Sequence, residues 1–453
     1  MRRTFRLVSL GVLWTSLCGL YFFLWMRWYA RTTPMPFFNR GHWVVLVIYG
    51  VLLFLFTRTY GGYRIGDLRI FELIYSNGLA LAIVNGVSWL QVSLLSYRLV
   101  SVLPFAGLTV VQLGVVTLWA VVGNKLFFAW FPPRRMLLVY GSEALDIRLY
   151  HKLRQRPEKY NIQEILGIEK GLDVIFDRAQ HYSALMLCDV QSPQRNDILK
   201  FCYEHAIRTY ITPKLSDIII RGSEETQLFD TPLLVSKNRG LSLEQQVIKR
   251  AMDILLSGLA LVLTSPVFLL VAAAIKLEDG GPVLFRQDRC TQEGRVFRIC
   301  KFRSMIVDAE KDGVARLAAQ DDDRITRVGR VIRATRLDEL PQLLNILRGE
   351  MSIVGPRPER PELFDQYIET IPEFQYRLGI KAGLTGYAQV VGRYNTTPYD
   401  KLKLDLMYIQ NYSLLLDIKI ILMTVKIMFM KESTAGVQEE APEVQQAEEE
   451  IYK

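Results

Sequence analysis

Four long apolar segments fill the first third of the chain: Leu7 to Tyr29, Trp43 to Phe56, Phe71 to Leu95 and Val102 to Phe131. A run of roughly 20 apolar residues crosses a bilayer as a helix, because lipid offers no partners for exposed backbone N–H and C=O groups. The segments predict a transmembrane bundle of about four helices over 1–131. The second is short, and Asn85 and Gln91 interrupt the third, so the ends stay open. The first is too long for a removable signal peptide and lacks a small-residue cleavage site. Composition agrees, with 50% hydrophobic residues and a mean hydropathy of +0.15. Arg2, Arg3 and Arg6 precede the first segment, Arg58, Arg64 and Arg69 follow the second, and Arg134 and Arg135 follow the fourth. Fewer basic residues lie between (Arg27, Arg31, Arg40 and Arg98), so the positive-inside rule puts both ends of the bundle in the cytoplasm.

Pro132-Pro133 marks a boundary, and the pattern then changes. MLLVYG, ALMLCDV and TYIT read as buried strands, and ALDIRLYHKLR and QRNDILKFCYEHAI as helices, which predicts a Rossmann-like α/β domain over 132–240. Gly141 sits where a dinucleotide-binding turn would begin, but VYGSEALD has one glycine where GxGxxG needs three. A structural or regulatory domain is the expectation, with nucleotide binding the alternative.

A second boundary falls between Asn238 and Ser242. The run Ala251 to Ile275 follows, with Lys249, Arg250 and Asp253 at its start and Lys276, Glu278 and Gly280-Gly281-Pro282 at its end. It is long enough to span, yet Ser265-Pro266 interrupts its middle. Proline removes a helix hydrogen bond, and a neighbouring serine can re-satisfy the freed carbonyl. A re-entrant helix over 250–277 is favoured over a full span, with Lys249 and Arg250 anchored to lipid headgroups. Leu402 to Met430 reads as one interfacial helix carrying Lys419 and Lys426. The Glu- and Gln-rich tail over 432–453 reads as disordered. There is no internal repeat.

The formal net charge is +9 despite that acidic tail, which suits an anionic membrane surface or anionic substrates. The 5 cysteines (Cys18, Cys188, Cys202, Cys290, Cys300) have neither CxxC nor zinc spacing and read as reduced thiols. None of the 4 histidines (His42, His151, His181, His205) lies beyond residue 205. The segment around Asp338 thus has no histidine of its own, and catalysis there must use carboxylates, Lys, Arg or an oxygen-bound metal.

Asp338 and Glu339 are adjacent in LDELPQL. Arg324, Arg327, Arg330, Arg333 and Arg336 precede them; Arg348 and Pro356-Arg357-Pro358 follow. Cations so near are expected to lower both carboxyl pKa values. Carboxylate plus forked phosphate donors outlines phosphoryl transfer, against the blander reading of a surface ion-pair network. Arginines at spacing three cannot share one helix face, and Arg324 and Arg327 are expected to face solvent or headgroups. Leu337, Leu340, Leu343 and Leu344 recur at helical spacing and read as core. Asp321-Asp322-Asp323 is weighed, and set aside, as a DxD metal site.

Four blocks carry a resemblance: KRAMD with Ser265-Pro266, LFRQDR with CKFRSM, RVGRVIRATRLDELPQLLNILRGEMSIVGPRPE, and IKAGLTGYAQVVGR. Together they resemble the monotopic phosphoglycosyl transferases of the bacterial sugar transferase family, over Ser242 to about Met430. The bundle and α/β domain resemble the family's large members by architecture alone. Asp321-Asp322-Asp323 departs from the usual Asp-Asp-Pro, and Asp279-Gly280-Gly281-Pro282 from the usual turn after the re-entrant helix.

The resemblance implies an α/β catalytic domain over 241–431. It implies transfer of a sugar-1-phosphate from a UDP-sugar to polyprenyl (undecaprenyl) phosphate with release of UMP, through a phosphosugar on Asp338, with Mg²⁺ bound at Asp338. Glu339 is its partner, expected as the base that assists the lipid phosphate. Arg333, Arg357 within Pro356 and Pro358, and Arg393 match phosphate-holding positions; Lys301, Arg303, Lys381 and Thr385 are further substrate candidates. The implied setting is a multi-pass protein of the bacterial inner membrane with its catalytic domain on the cytoplasmic face. The expected partners are the bilayer and a second copy in a homodimer, not nucleic acid. A glycosyltransferase releasing UDP and a non-catalytic assembly protein are the alternatives.

Overall fold

A computed structural model describes residues 1–30, 41–141, 147–236, 240–307, 322–392 and 396–428. Arg393, Asp321 and the tail over 432–453 lie outside the described residues. The chain divides into two compact units, Met1–Thr212 and a second beginning at Pro213.

In the first unit the apolar segments form α1 (Arg2–Leu24), continued by a wider turn to Tyr29, α2 (Gly41–Tyr60), α3 (Ile70–Leu95) and α4 (Leu103–Trp130). The short second segment gains residues at both ends and becomes a helix of 20 residues. Asn85, which interrupts the third, is buried and ties the bundle together. Tyr49 Oη donates to Asn85 Oδ1 at 3.0 Å, Asn85 Nδ2 to Gln112 Oε1 at 2.9 Å, and Gln112 Nε2 to the Leu17 carbonyl at 3.1 Å. One network thus joins all these helices, since a polar side chain in lipid must find its partner on a neighbour.

After the bundle come β1 (Arg134–Tyr140), α5 (Ile147–Arg154), β2 (Tyr160–Gly167), α6 (Leu172–Ala179), β3 (Ala184–Cys188), α7 (Ser192–Glu204) and β4 (Arg208–Ile211). The strands pair in parallel in the order β2-β1-β3-β4. Alternate residues of β1 and β3 enter separate cores on the two faces, Leu137, Val139, Leu185 and Leu187 on one and Met136, Leu138, Ala184 and Met186 on the other. A Cβ on Gly141 would lie 2.6 Å from the Asp189 carbonyl oxygen, so the close approach of the β1 and β3 ends itself requires this glycine.

The second unit opens with α8 (Leu215–Arg221) and the exposed hairpin of β5 (Glu224–Leu228) and β6 (Thr231–Val235). Next is α9 (Leu243–Asp279), started by Ser242 in a reciprocal cap with Gln245. The helix runs on through Pro266 rather than breaking there. Pro266 has no N–H for the Val262 carbonyl, and Ser265 Oγ donates to that oxygen instead, at 2.8 Å. One face of α9 packs on this unit along its length: Leu256, Ala260 and Leu261 reach one core, Val267, Phe268, Val271 and Ile275 another. Leu255, Val262, Leu263, Leu269 and Leu270 on the other face are each 69–72% exposed.

The remaining elements are β7 (Leu284–Cys290), β8 (Val296–Phe302), α10 (Arg327–Ala334), α11 (Gln342–Arg348), β9 (Ser352–Val354), α12 (Pro361–Thr370), β10 (Gly383–Thr385), α13 (Tyr387–Val391), α14 (Pro398–Gln410) and α15 (Leu414–Met428). β7 and β8 are antiparallel, β9 and β10 parallel. The single helix expected over Leu402 to Met430 is two. Ser413 Oγ accepts from Leu416 N at 3.2 Å and begins α15 afresh. Leu402, Leu406, Tyr408 and Ile409 of α14 are buried in the core, so only α15 has the apolar exposed face expected of an interfacial helix.

The expected headgroup anchors are internal. Lys249 is 5% exposed, and its ammonium lies 2.6 Å from Asp417 Oδ2 and 3.2 Å from Tyr408 Oη. Arg250 donates to the carbonyls of Ile346 and Leu347 at 2.6 and 2.7 Å, capping the C-terminal end of α11. Asp253 accepts from Ser352 Oγ and Ile353 N at 3.1 and 2.9 Å. A helix this close to a domain offers its first charges to buried partners before lipid can compete.

Candidate active site

The far end of α9 starts the segment that carries the carboxylate pair. Glu278 accepts from Arg327 N at 2.8 Å and Val328 N at 3.3 Å, and Thr326 Oγ1 accepts from Gly329 N at 2.9 Å, so the first turn of α10 is capped twice. Arg336 then adopts φ +56°, ends the helix, and sends the chain into a single turn over Leu337–Glu339. Leu337 and Leu340 pack into cores, and Leu343 is 6% exposed within one. Asp338 and Glu339 lie between these anchors.

The arginine run separates as the helix turns. Arg324 forks onto Asp322, with Nε 2.8 Å from Oδ1 and Nη2 2.6 Å from Oδ2, rather than facing solvent freely. The pair holds the Asp322 carboxyl down at about 2, and an acid so engaged makes a poor metal ligand. Arg327 and Arg330 are exposed, while Arg333 and Arg336 are half-buried and carry their charge toward the carboxylates.

Arg357 Nη2 lies 3.1 Å from Glu339 Oε1, and Lys301 Nζ, from β8, 3.5 Å from the same oxygen. Burial alone would raise the Glu339 pKa, but Arg357, Lys301 and Arg336 outweigh it and hold the carboxyl down at about 2. Asp338 goes the other way. Burial, and then the charge of Glu339, lift it above the usual carboxylate range against Lys301, Arg333 and Arg357. The expectation that both pKa values fall is therefore correct for Glu339 alone, because the cations contact that carboxylate and leave the other. Among the described residues Asp338 makes no hydrogen bond or ion pair. An acid held at about 2 is also a weak proton acceptor, so Glu339 is ill suited to the role of base.

Pro356 and Pro358 are buried and Arg357 between them is exposed. The flanking prolines fix φ on either side and leave the guanidinium free to reach outward. The other substrate candidates sit apart from this group. Arg303 is 6% exposed and pairs with Asp279 beneath the Gly281 turn, where it clasps the end of α9. Thr385 is 6% exposed, its hydroxyl 2.7 Å from that of Thr424 on α15. Each is nearly buried and held by a tertiary partner, although Arg303 Nε and Nη1 have no hydrogen-bond partner. Lys381 lines a separate cleft of about 600 Å³ with Arg295, Arg348 and Glu350.

Sequence reasoning passed over Arg377 and Asp405. Arg377 is 3% exposed and Asp405 1%, with Arg377 Nη2 2.8 Å from Asp405 Oδ2. A lone acid among Leu402, Leu404, Leu406 and Tyr408 was the available signal, since an unpaired charge on a buried helix face is too costly to keep.

The family described as bacterial sugar transferase matches residues 244–431. A UDP-N-acetylgalactosamine-undecaprenyl-phosphate N-acetylgalactosaminephosphotransferase of Aeromonas hydrophila is 47% identical over 182 residues, 40% of this chain and 43% of its own length. A UDP-glucose:undecaprenyl-phosphate glucose-1-phosphate transferase of Caulobacter vibrioides is 47% identical over 182 residues, 39% of this chain and 68% of that protein. A sugar transferase of Haemophilus influenzae, without an assigned reaction, is 30% identical over 337 residues, 67% of this chain and 70% of its own. The chain thus spans under half the length of the Aeromonas relative but two thirds or more of the other two. With its motifs in the matched segment and that extent of shared length, the chain belongs to the bacterial sugar transferase family.

Proposed function

We propose that the protein transfers a sugar-1-phosphate from a UDP-sugar to polyprenyl (undecaprenyl) phosphate and releases UMP, at the membrane step that opens synthesis of a surface polysaccharide. The carrying observation is the unequal pair: Glu339 is neutralised by Arg357 and Lys301, while Asp338 keeps a free carboxylate of raised pKa. A more basic carboxylate is the better nucleophile. An oxygen of Asp338 attacks the sugar-bearing phosphorus, an O–P bond forms, and the P–O bond to UMP breaks with its electrons on UMP. A phosphate oxygen of the lipid then attacks the same phosphorus and returns the carboxylate. Arg357, Lys301 and Arg333 hold phosphate oxygens and spread the charge that builds up during transfer. Arg393 is a proposed contact to the donor, and Lys381 is proposed to reach it only from the separate cleft that it lines.

Mg²⁺ is the proposed cofactor. Among the described residues no three acidic, His or Cys side chains gather as a ready site. The free carboxylate of Asp338 fits an ion that takes its other oxygens from substrate phosphates and water, and such an ion would offset phosphate repulsion.

The membrane setting is the bacterial inner membrane, with the catalytic unit on the cytoplasmic face, supplied with soluble sugar nucleotides. Support for a re-entrant α9 comes from its two ends. Lys249 and Asp253 are held by Asp417 and Ser352, and Glu278 and Asp279 by α10 and Arg303, all within one unit. A helix crossing the bilayer would carry its ends to opposite sides. Leu277→Cys, at a residue 86% exposed, should react with impermeant thiol reagents from the cytoplasmic side; reaction from outside would overturn the assignment. A homodimer is proposed as the working form, read by light scattering in detergent.

The deciding assay offers a panel of UDP-sugars with polyprenyl phosphate and Mg²⁺. UMP is expected from one or a few of them, and Asp338→Asn should stop its release. UDP as product would replace the reading with sugar transfer lacking phosphate. The relatives named for N-acetylgalactosamine phosphate and glucose-1-phosphate transfer support the reaction class and leave the sugar to the assay.

A further inference from the structure

The loop that presents Arg357 carries only carbonyl groups at its prolines, and each carbonyl from Pro356 to Glu359 has a donor. Gly383 N reaches Pro356 O at 2.9 Å and Cys290 N reaches Glu359 O at 2.9 Å. Arg289 Nη1 reaches Pro358 O at 3.1 Å. The carbonyl of Arg357 itself is taken by Arg377 Nη2, at 3.0 Å. The Arg377 side chain touches three points: Asp405 on α14 (Nε–Oδ2 3.0 Å), Glu359 (Nη1–Oε1 3.5 Å) and the Arg357 backbone. The Phe374 ring lies 4.8 Å from its Cζ and confines the guanidinium plane.

A buried ion pair is a poor way to gain stability, because desolvation offsets much of the attraction. Its geometry here serves something else. The charge of Arg377 is matched by Asp405 and Glu359, so it adds little field where phosphate binds. Its Nη2 instead holds the backbone carbonyl of Arg357, whose own guanidinium lies 3.1 Å from Glu339.

We propose that Arg377 and Asp405 are positioning residues for the transfer step, bracketing the Arg357 loop so that its guanidinium neutralises Glu339 and leaves Asp338 free. The inference rests on the function proposed above. It excludes a direct substrate contact for Arg377, which is buried to 3% exposure. Its effect must pass through Arg357.

The test is a double-mutant cycle on the full chain in detergent micelles, with UDP-sugar, polyprenyl phosphate and Mg²⁺. Arg377→Lys keeps a charge beside Asp405 and loses the fork. Displacement of a phosphate-orienting group by about 1 Å is expected to lower kcat about 10- to 100-fold, with the KM for UDP-sugar within about 3-fold. In an Arg357→Lys background the same substitution should add less than about 3-fold, since coupled residues do not act independently. Asp405→Asn should repeat the pattern. Losses that multiply in the double variant, or a rise in KM at constant kcat, would overturn the bracket. If Arg377→Lys does not fold, by its thermal midpoint in the same detergent, Glu359→Gln takes its place in the cycle, with a loss of about 3- to 10-fold that must vanish with Arg357→Lys. A wild-type chain that releases no UMP would defeat the proposed function itself, whereas wild-type turnover with multiplying losses defeats only the bracket.

Discussion

Two groups of charges in the second unit use the same residue types to opposite ends. Around Lys249 every charge is answered: its ammonium meets Asp417 and Tyr408, Tyr408 Oη donates to Asp417 at 2.5 Å, and Asp253 takes two donors from β9. Around Asp338 the matching is incomplete. Two cations close on Glu339, and at its neighbour burial and a like charge outweigh the more distant cations. A satisfied buried network locks elements together, here α9, β9 and α15. A carboxylate left outside such a network, with its pKa raised, is the kind of group that functional sites carry.

Breaking the open group should produce the largest effect. Asp338→Asn is expected to lower UMP release at least about 10³-fold by removing the proposed attacking oxygen. Its thermal midpoint should stay level or rise, because a buried carboxylate with a raised pKa opposes folding at neutral pH. A stability loss comparable to the activity loss would mean that Asp338 is structural. Breaking the closed group should do the reverse. Lys249→Met leaves Asp417 buried without its cation and should cost about 3–5 kcal/mol of stability, measured by denaturation in detergent. Full activity per folded molecule should remain.

The pH dependence sharpens the contrast. Glu339, held down at about 2, contributes stability that is full above the unfolded value and is lost as pH falls through about 2. Asp338, raised, has the opposite linkage: folding is favoured as it protonates, and the proposed nucleophile is lost at the same time. The acid limb of kcat/KM should therefore lie above the ordinary Asp value of about 3.9. A limb at or below that value would assign the carboxylate roles differently. The smallest effect is expected at Thr385→Val, which removes one hydroxyl contact to Thr424 at about 1 kcal/mol and changes KM less than about 3-fold. A large rise in KM would return Thr385 to the substrate.

The membrane helices were legible because apolar length is a local property, and so was the dyad, carried by contiguous motifs. Lys249 and Arg250 were misplaced at the lipid surface because a basic pair at a helix start reads the same whether its partner is a headgroup or Asp417, 168 residues away in sequence. The long helix over Leu402 to Met430 was misread for a similar reason. Apolar residues continue on both sides of Asn411–Ser413, and only the cap at Ser413 separates a core helix from an exposed one. Arg377 was invisible, since its worth lies in a backbone carbonyl that sequence cannot bring to it.

By itself the sequence determined that apolar helices must enter lipid, that the last half of the chain has no histidine of its own, and that Asp338 and Glu339 stand together amid arginines. These follow from residue type and spacing. Tertiary structure alone decided which of the two carboxylates is neutralised. That choice depends on Lys301 arriving from β8 and Arg357 from a loop pinned by Arg377, and Coulomb interactions at 3.1 and 3.5 Å are set by folding distance rather than by position along the chain.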